Sequence, residues 1–392
     1  MLMFKHRRES GAVSLFLVIF AMLLITIVTL GFLRIMLNDQ QQASAADLSK
    51  SAYDSSLAGI EDAKRALIYY RTVCATSETA ACSDLRNRIN SGTCNAGLSD
   101  VVDVTPNKEV LVQQQQSGND TQLNQAYTCV KINLETDDYL GTIQANTSKI
   151  IPLSGTKNFN TVTVEWYSAD DLGTNSTSVN LLPDVDASLR QPLYLQSNWV
   201  ASRPSLLRTQ LMQFGSSFTL GSFDAASSSL TNSNANTLFL YPSGSTGNKR
   251  TVKDTWSFTG EDIRQFPTGS PQATRCSGNL SDGGYACRVT LVLPQAVGQN
   301  NDNRTAYLRL TPLYNSSHFR IVLGDGAKFS GIQPSIDSTG RANDLYRRVE
   351  ARVDLVDTAF PYPEATVDLT GDFCKDFVVT DTVGQATTTC TP

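Results

Sequence analysis

The sequence predicts an α+β protein. A long N-terminal helix, transmembrane in its first part and amphipathic in its second, precedes a β-rich, disulfide-containing region outside the cytoplasm. Three observations predict this. Ala12 to Leu33 contains no charged residue. The chain then carries small and apolar residues at helical spacing as far as Tyr70, with no Pro and no Gly cluster. From residue 71 onward Ser, Thr and Asn are abundant, Val, Leu, Phe and Tyr recur in short runs, and all eight cysteines are found there.

The apolar run Ala12–Leu33 is 22 residues long, and about 20 cross the hydrocarbon core of a bilayer as a helix. Lys5-His6-Arg7-Arg8-Glu9 stands before it and Arg34 closes it. A Lys or Arg at the bilayer centre costs about 2.5–3.5 kcal/mol on insertion scales, so these charges bracket the span. The positive-inside rule keeps the basic end in the cytoplasm, which makes the chain single-pass with its N-terminus inside. The apolar part of a secretory signal is about 7–15 residues and ends at a small-x-small site. This run is longer and has no such ending.

Beyond Arg34 the helix continues. Ala45, Leu48, Ala52, Ser55, Gly59, Ala63 and Ala66 recur three or four apart and form one stripe. Its residues are small, which favours close helix–helix approach. Asp47/Lys50, Glu61/Lys64 and Glu61/Arg65 are spaced for pairs on other faces. A helix from residue 12 to 70 is about 90 Å long at 1.5 Å per residue.

These residues carry a resemblance. A short basic leader ending at Gly11, an immediate apolar helix and its amphipathic continuation are similar to a type IV prepilin. The segment Ala52-Tyr53-Asp54-Ser55-Ser56-Leu57-Ala58-Gly59-Ile60-Glu61-Asp62-Ala63 resembles the A-x-x-A-x-A-G-[IL]-E-x-A pattern of PilX-type minor pilins and of the large minor pseudopilins of type II secretion. The resemblance implies a leader peptide over residues 1–11 and cleavage by a prepilin peptidase between Gly11 and Ala12. Ala12 then becomes the new, usually methylated, N-terminus. It also implies that the helix packs against other pilin subunits, through Phe16, Ala45, Leu48, Ala52, Gly59 and Ala63. Most pilins carry Glu at the fifth mature position, where this chain has Phe16. A carboxylate inside a bilayer persists only with a partner, and in the family that partner is the N-terminal amine of a neighbour. A subunit with Phe there resembles a tip or initiating component more than a major pilin.

The chain has 37 acidic and 32 basic residues. Without residues 1–11, which hold Lys5, Arg7, Arg8 and Glu9, the remainder has 36 acidic and 29 basic residues and a net charge of −7. That balance argues against a broad nucleic-acid surface, and no nucleic-acid partner is expected. Residues 71–392 suffice for one large core or two smaller ones. The Ser/Asn/Gly-rich stretch 215–236 reads as either a surface excursion or a linker between subdomains.

The cysteines stand at 74, 82, 94, 129, 276, 287, 374 and 390. An even number in an exported chain reads as disulfides. Cys276/Cys287 and Cys374/Cys390 are local pairs, and closing a loop of about 15 residues contributes roughly 3 kcal/mol in the chain-entropy model. Cys74, Cys82, Cys94 and Cys129 allow three connectivities, all open at this point. Zinc is the rival, but there is no C-x-x-C and His318 is the only His after the leader.

The element order follows from local pattern. Ser83–Ile89 reads as a short helix, Val110–Gln116 as helix or strand, and Ala126–Leu134 as a strand. Thr161–Tyr167 is a strand by alternation and β-branching, and residues 170–186 are loop-like. Leu193–Val200 and Ser205–Phe214 read as strands flanking Arg203-Pro204. Leu238–Tyr241, Thr255–Phe258, Tyr285–Leu293, Ala306–Leu313 and His318–Leu323 are further strands, with turns at 314–317 and 324–326. Ile332–Ser338 and Leu345–Val356 follow, with a turn placed at Thr339-Gly340-Arg341-Ala342. In the last strand Arg347 breaks an otherwise apolar face. The segment Ser338-Thr339-Gly340-Arg341…Arg347-Arg348-Val349 resembles the S-x-G-x…R-R-V hairpin near the end of PilX-like pilins.

Catalytic signals are missing. There is no Walker A sequence, G-x-S-x-G or H-E-x-x-H, and no enzyme activity, cofactor or metal is expected. Asp184/Asp186 and Asn300–Asn303 match no EF-hand loop and read as solvated loops. Sequons such as those at Asn146, Asn175 and Asn315 matter only where they are glycosylated. Three functions compete: a minor pilin-like subunit of a type IV pilus or secretion pseudopilus, placed at the tip and supporting assembly initiation or adhesion to a host or other surface; an uncleaved, membrane-anchored surface adhesin; and a membrane-tethered enzyme. The first passes from the cytoplasmic membrane to the cell surface.

Overall fold

The computed structural model describes residues 11–75, 79–112, 124–172, 178–181, 194–214, 236–244, 252–259, 271–280, 284–298 and 305–355. A single helix, α1 (Gly11–Val73), dominates the N-terminal part. Its 63 residues span about 95 Å at 1.5 Å per residue. The segment from Leu15 to Leu37 is exposed throughout, and α1 is long and apolar enough to cross a membrane. From Ala52 onward one face is buried: Ala52, Ser55, Ser56, Gly59, Ile60, Ala63, Ala66 and Leu67. α2 (Ala80–Ile89) follows, its first turn capped by Thr79, whose side chain accepts from the Cys82 amide at 3.2 Å.

The strands make three sheets. β1 (Val110–Leu111), β2 (Gln125–Thr136), β13 (Phe329–Ala342) and β14 (Leu345–Arg352) form a four-stranded antiparallel sheet in the order β1-β2-β13-β14. α1 lies on it. Ile60, Ala63 and Leu67 of the helix share a core with Leu85 of α2 and with Tyr127, Val130, Ile132 and Ile336 of the sheet.

The described strands between β2 and β13 form an inserted β-sandwich. One sheet has the order β3 (Tyr139–Ile143), β12 (Ser317–Leu323), β5 (Phe159–Ser168), β10 (Tyr285–Val297), β8 (Thr255–Ser257). The other has the order β4 (Lys149–Pro152), β11 (Thr305–Leu313), β6 (Leu206–Phe214), β7 (Thr237–Ser243), β9 (Gln272–Arg275). They share one core, built from Val162, Val164, Trp166, Leu291 and Ile321 on the first sheet and Ile151, Leu207, Leu211, Leu240 and Leu308 on the second. Alternation of buried Val and Leu with half-buried Thr along β5 and β10 is the period-two pattern that puts one face of each strand inside.

The two cores meet at the start of β13. Phe329 and Ile332 belong to the sandwich core while Ile336, farther along the same strand, belongs to the helix core. Polar groups fasten the junction. Asp138, between β2 and β3, accepts from Arg320 Nε of the sandwich at 2.8 Å and from Arg352 Nη2 of β14 at 3.1 Å. Lys149 of β4 reaches Asp354 at 2.9 Å. Gln333 donates to the Leu140 carbonyl at 2.8 Å and to Asp354 at 2.9 Å.

Most of the expected strands are present, with three corrections. The residues described within Leu193–Val200 form no strand; Gln196–Asn198 is a 3₁₀ turn, because Trp199 turns inward onto Tyr314 instead of joining a ladder. Thr339–Ala342 is not a turn: these residues stay in β13 and pair with β14, and the reversal falls at Asn343-Asp344, where Asn343 has φ of +50°. Arg65 pairs with Asp62 at 3.0 Å and not with Glu61, which Lys64 holds at 2.6 Å. The 215–236 stretch joins β6 to β7, adjacent strands of one sheet. Residues 215–235 themselves lie outside the described residues. Cys374, Cys390, Asp184, Asp186 and Asn300–Asn303 lie outside the described residues.

The junction makes a prediction. Asp138→Ala leaves Arg320 and Arg352 without a shared carboxylate and should destabilise the detergent-solubilised protein by about 1–3 kcal/mol. Hydrogen exchange should quicken at 138–141 and 350–354 while the α1 amides at 56–67 stay protected. Unchanged exchange at the junction would show that the two cores are held without it.

Candidate functional site

Two regions of the molecule carry features beyond plain packing. The first is where α1 meets the sheet. Helix and strand backbones are in direct contact there, because both sides lack a side chain. A Cβ on Gly340 would run into the Ala52 carbonyl and the Ser56 amide. One on Gly59 would lie 2.5 Å from Ser338 Oγ and 2.8 Å from Val130 Cγ2. Ser338 Oγ donates to the Ser56 carbonyl at 2.8 Å in a buried setting. Opposite Thr339 and Gly340 the partner strand β2 carries one extra residue, Thr128, a bulge that bends β2 at this point.

Charges flank the contact. Tyr127, buried on β2, donates its hydroxyl to Asp62 of α1 at 2.8 Å. Burial, and then the Asp62 carboxylate, hold the Tyr127 hydroxyl well above its ordinary pKa. Arg347, the exception on the apolar face of β14, donates from Nε to Ser49 Oγ at 2.8 Å. Arg348 points the other way and forks onto Asp337.

Two disulfides brace the same region. Cys74–Cys82 ties the end of α1 to α2, and Cys94–Cys129 ties the following loop to β2. Their Cα separations are 5.2 Å and 4.6 Å, within the usual range for a bridge. This selects one of the three connectivities left open by the sequence. The expected local pair Cys276–Cys287 is present in the sandwich.

Not every residue singled out for helix packing is free for a partner. Ala52, Gly59 and Ala63 are buried in this chain's own core. Leu48 is half-buried, and Ala45 and Phe16 are exposed, Phe16 by 79%. Gly11 and Ala12 are the first two residues of α1.

The second region is the end of the sandwich farthest from α1, where β5 and β11 finish and β6 and β12 begin. Trp199 stacks on Tyr314 with ring centroids 4.3 Å apart and meets Tyr241 edge-on at 6.3 Å. The Arg203 guanidinium lies over Trp199 at 5.2 Å and donates to Asn180 and to the Asn198 carbonyl. Asn315 donates its amide to the carbonyls of Val200 and Arg203, so this sequon's side chain is engaged in holding the loop. Tyr167 and Tyr314 have φ of +68° and +78°, a conformation that bulky side chains rarely take and that is retained only where surroundings hold it. Tyr194 meets Trp199 edge-on at 6.4 Å, and Tyr194, Leu195 and Val200 are exposed, Leu195 by 73%. His318, beside the turn, bonds Asp171 through Nδ1 at 2.7 Å. Asp171 also caps a 3₁₀ turn by accepting from the Ser168 amide.

The sequence reading missed the Trp199 cluster. The one local signal was a Trp and a Tyr close before Arg203-Pro204, in a segment poor in β-branched residues. Among the described residues no group of three or more His, Cys, Asp or Glu is placed to hold a metal ion. Comparison with protein-family models, with curated proteins and with solved structures finds no match.

Two predictions follow from the helix–sheet contact. Gly340→Ala puts a methyl group into the helix backbone and should destabilise by about 3 kcal/mol or more, read as a lower thermal midpoint and proteolysis after residue 50. A midpoint within a degree of the parent would mean that the backbones are free to separate. The second concerns pH. Tyr127 has its folded pKa raised, so its contribution is complete below the unfolded value of about 10 and fades as pH rises above it. Tyr127→Phe should be less stable at pH 7, having lost the bond to Asp62, yet lose less stability than the parent between pH 10 and 12. Parallel alkaline curves would remove Tyr127 as the source.

Proposed function

We propose that this protein is a minor pilin-like structural subunit of a type IV pilus or of a related secretion pseudopilus. Its apolar helix sits in the cytoplasmic membrane and then in the filament, and the sandwich is presented outside the cell. One observation carries the reading. The two segments that resemble PilX-type pilins, Ala52–Ala63 and Ser338–Val349, are far apart in the chain yet meet in one contact. Ser56 and Ser338 are bonded across 282 residues, and Gly59 and Gly340 each make room for the other element. Residue types that look like a motif are therefore residues that the helix–sheet contact requires.

The half-exposed helix supports the same reading. Its apolar first part is exposed among the described residues, and its second part is fixed to the sheet. The sandwich, inserted at the end of the sheet, is a bulky head for a filament shaft. That bulk, with Phe16 in place of the usual Glu, favours the tip and a role in starting assembly. The exposed Tyr194, Leu195 and Val200 at the far end are suited to touching a surface. The same patch also favours a second reading, an adhesin anchored by an uncleaved helix.

Processing separates the two. The mass of the N-terminal peptide recovered from producing cells should correspond to a chain starting at Ala12, with or without a methyl group. Gly11→Val should keep residues 1–11 attached and leave the protein in the membrane. Maturation of Gly11→Val, or an intact Met1 in the parent, would transfer the case to the anchored adhesin.

A further inference from the structure

Three loops meet at the far end of the sandwich. Residues 144–148 join β3 to β4, 194–202 lead towards β6, and 314–316 join β11 to β12. The last of these holds the other two. Ser316 Oγ accepts from the Ala145 amide and donates to Gln144 Oε1, both at 3.1 Å. Gln196 donates to the Tyr314 carbonyl at 3.0 Å, Asn315 donates to the Val200 carbonyl, and Trp199 stacks on Tyr314. Loops fastened in this way have little ordering left to undergo when they bind something.

Their composition sets them apart. The chain is 18% charged, yet none of residues 144–148, 194–202 and 314–316 carries a charge. Charges at the margin are spent inside. Arg203 is buried against Trp199 and Asn180, and the Asp171 carboxylate, 6% exposed, is held by His318 and by backbone amides. What faces outward is amide, hydroxyl and apolar. Asn146, Ser197 and Asn198 are exposed, and among the described residues their side chains have no partner. Tyr194, Leu195 and Val200 are exposed beside them in the chain. Trp199 Nε1 is buried and finds no acceptor among the described residues.

An anionic ligand calls for exposed cations and a basic one for exposed carboxylates, and these loops offer neither. A protein partner of ordinary size covers about 800 Å² on each side, with an apolar centre, and three apolar side chains make a small one. A neutral sugar chain fits better. A pyranose has one face of C–H groups, which suits a tyrosine ring or an aliphatic side chain, and a rim of hydroxyls that both donate and accept. Asn and Ser side chains also donate and accept, and Tyr combines an apolar body with a polar tip. Tyr, Ser and Asn on loops at one end of a β-sandwich are also the make-up of antibody binding surfaces.

We propose that this loop cluster binds a neutral glycan, with Tyr194 and Leu195 against the apolar face of a sugar ring and Asn146, Ser197 and Asn198 bonding its hydroxyls. The inference rests on the reading that the sandwich is presented outside the cell, which the pilin subunit and the anchored adhesin share, and it names the class of surface touched.

The test is an array of neutral oligosaccharides of glucose, galactose and N-acetylhexosamine, printed beside sialylated and sulfated oligosaccharides, phosphatidylglycerol vesicles and gelatin. It is probed with the detergent-solubilised full-length protein. The expected signal is on neutral sugars and is unchanged by high salt. Tyr194→Ala with Asn198→Ala should lower it about tenfold or more, and Asn146→Ala should lower it as well. Tyr346→Ala, at an exposed tyrosine of the helix-bearing sheet, should leave it unchanged. All four replaced side chains are exposed, so thermal midpoints matching the parent's report that the variants are folded. Absence of signal on every neutral sugar, or an undiminished signal in the double variant, would overturn the proposal. So would binding confined to the charged sugars, the vesicles or the gelatin, which would assign the patch to an anionic, lipid or protein partner. The array does not depend on cleavage after Gly11. Failure of the pilin reading would show in the N-terminal mass, and failure of this site would show here.

Discussion

The structure depends on how closely α1 lies on β13. Helices usually stand off a sheet by the length of their side chains. Here a glycine on each element removes that spacer, and the Ser338 hydroxyl reaches the Ser56 carbonyl directly. Contact at this range fixes both the rotation and the height of the helix, since a slide of one residue would bring a Cβ onto the opposing backbone. Tyr127, Asp62 and Arg347 then add polar contacts at the sides of a position that packing has already set.

The inserted sandwich is compatible with this arrangement because it leaves the sheet at one end. β2 and β13 are neighbours, and the chain departs at Thr136 and returns at Phe329, which face each other across the ladder. The insertion therefore needs no gap in the helix-bearing sheet. It also carries its own core, so its aromatic far end does not draw on the packing around α1. The ion pairs of Asp138 and Asp354 join two bodies that are already filled.

What was legible in the sequence follows the range of the interactions. The helix could be read because its signals, an uncharged run and a three-to-four periodicity, are local. Most strands could be read from alternation. Gly340 was misread for an instructive reason. Next to polar residues and before another strand, a glycine looks like a turn, and nothing nearby announces a helix arriving from the other end of the chain. The turn is instead made by Asn343, which tolerates positive φ. Leu193–Val200 fails as a strand because Trp199 finds Tyr314 and Arg203, partners brought together only by the folded sandwich. The pairing of β2 with β13, and hence the existence of an insertion, has no local trace. The Asp47/Lys50 pair expected from spacing does not close, while Glu61/Lys64 does.

The two disulfides beside α1 have a mechanical consequence. Pull the sandwich and the apolar helix apart until α1 lifts from β13, and the tension then travels along covalent bonds from α1 to β2. Cys74–Cys82 carries it past residues 75–81, and Cys94–Cys129 carries it past 95–128. Those loops cannot lengthen under force, whatever their conformation. Only the stretch from Cys82 to Cys94, most of it α2, is left between the bridges to stretch. The helix and the strand that leads into the sandwich are thus tethered by a short cord, and a protein built this way transmits a tug between the sandwich and α1 with little slack.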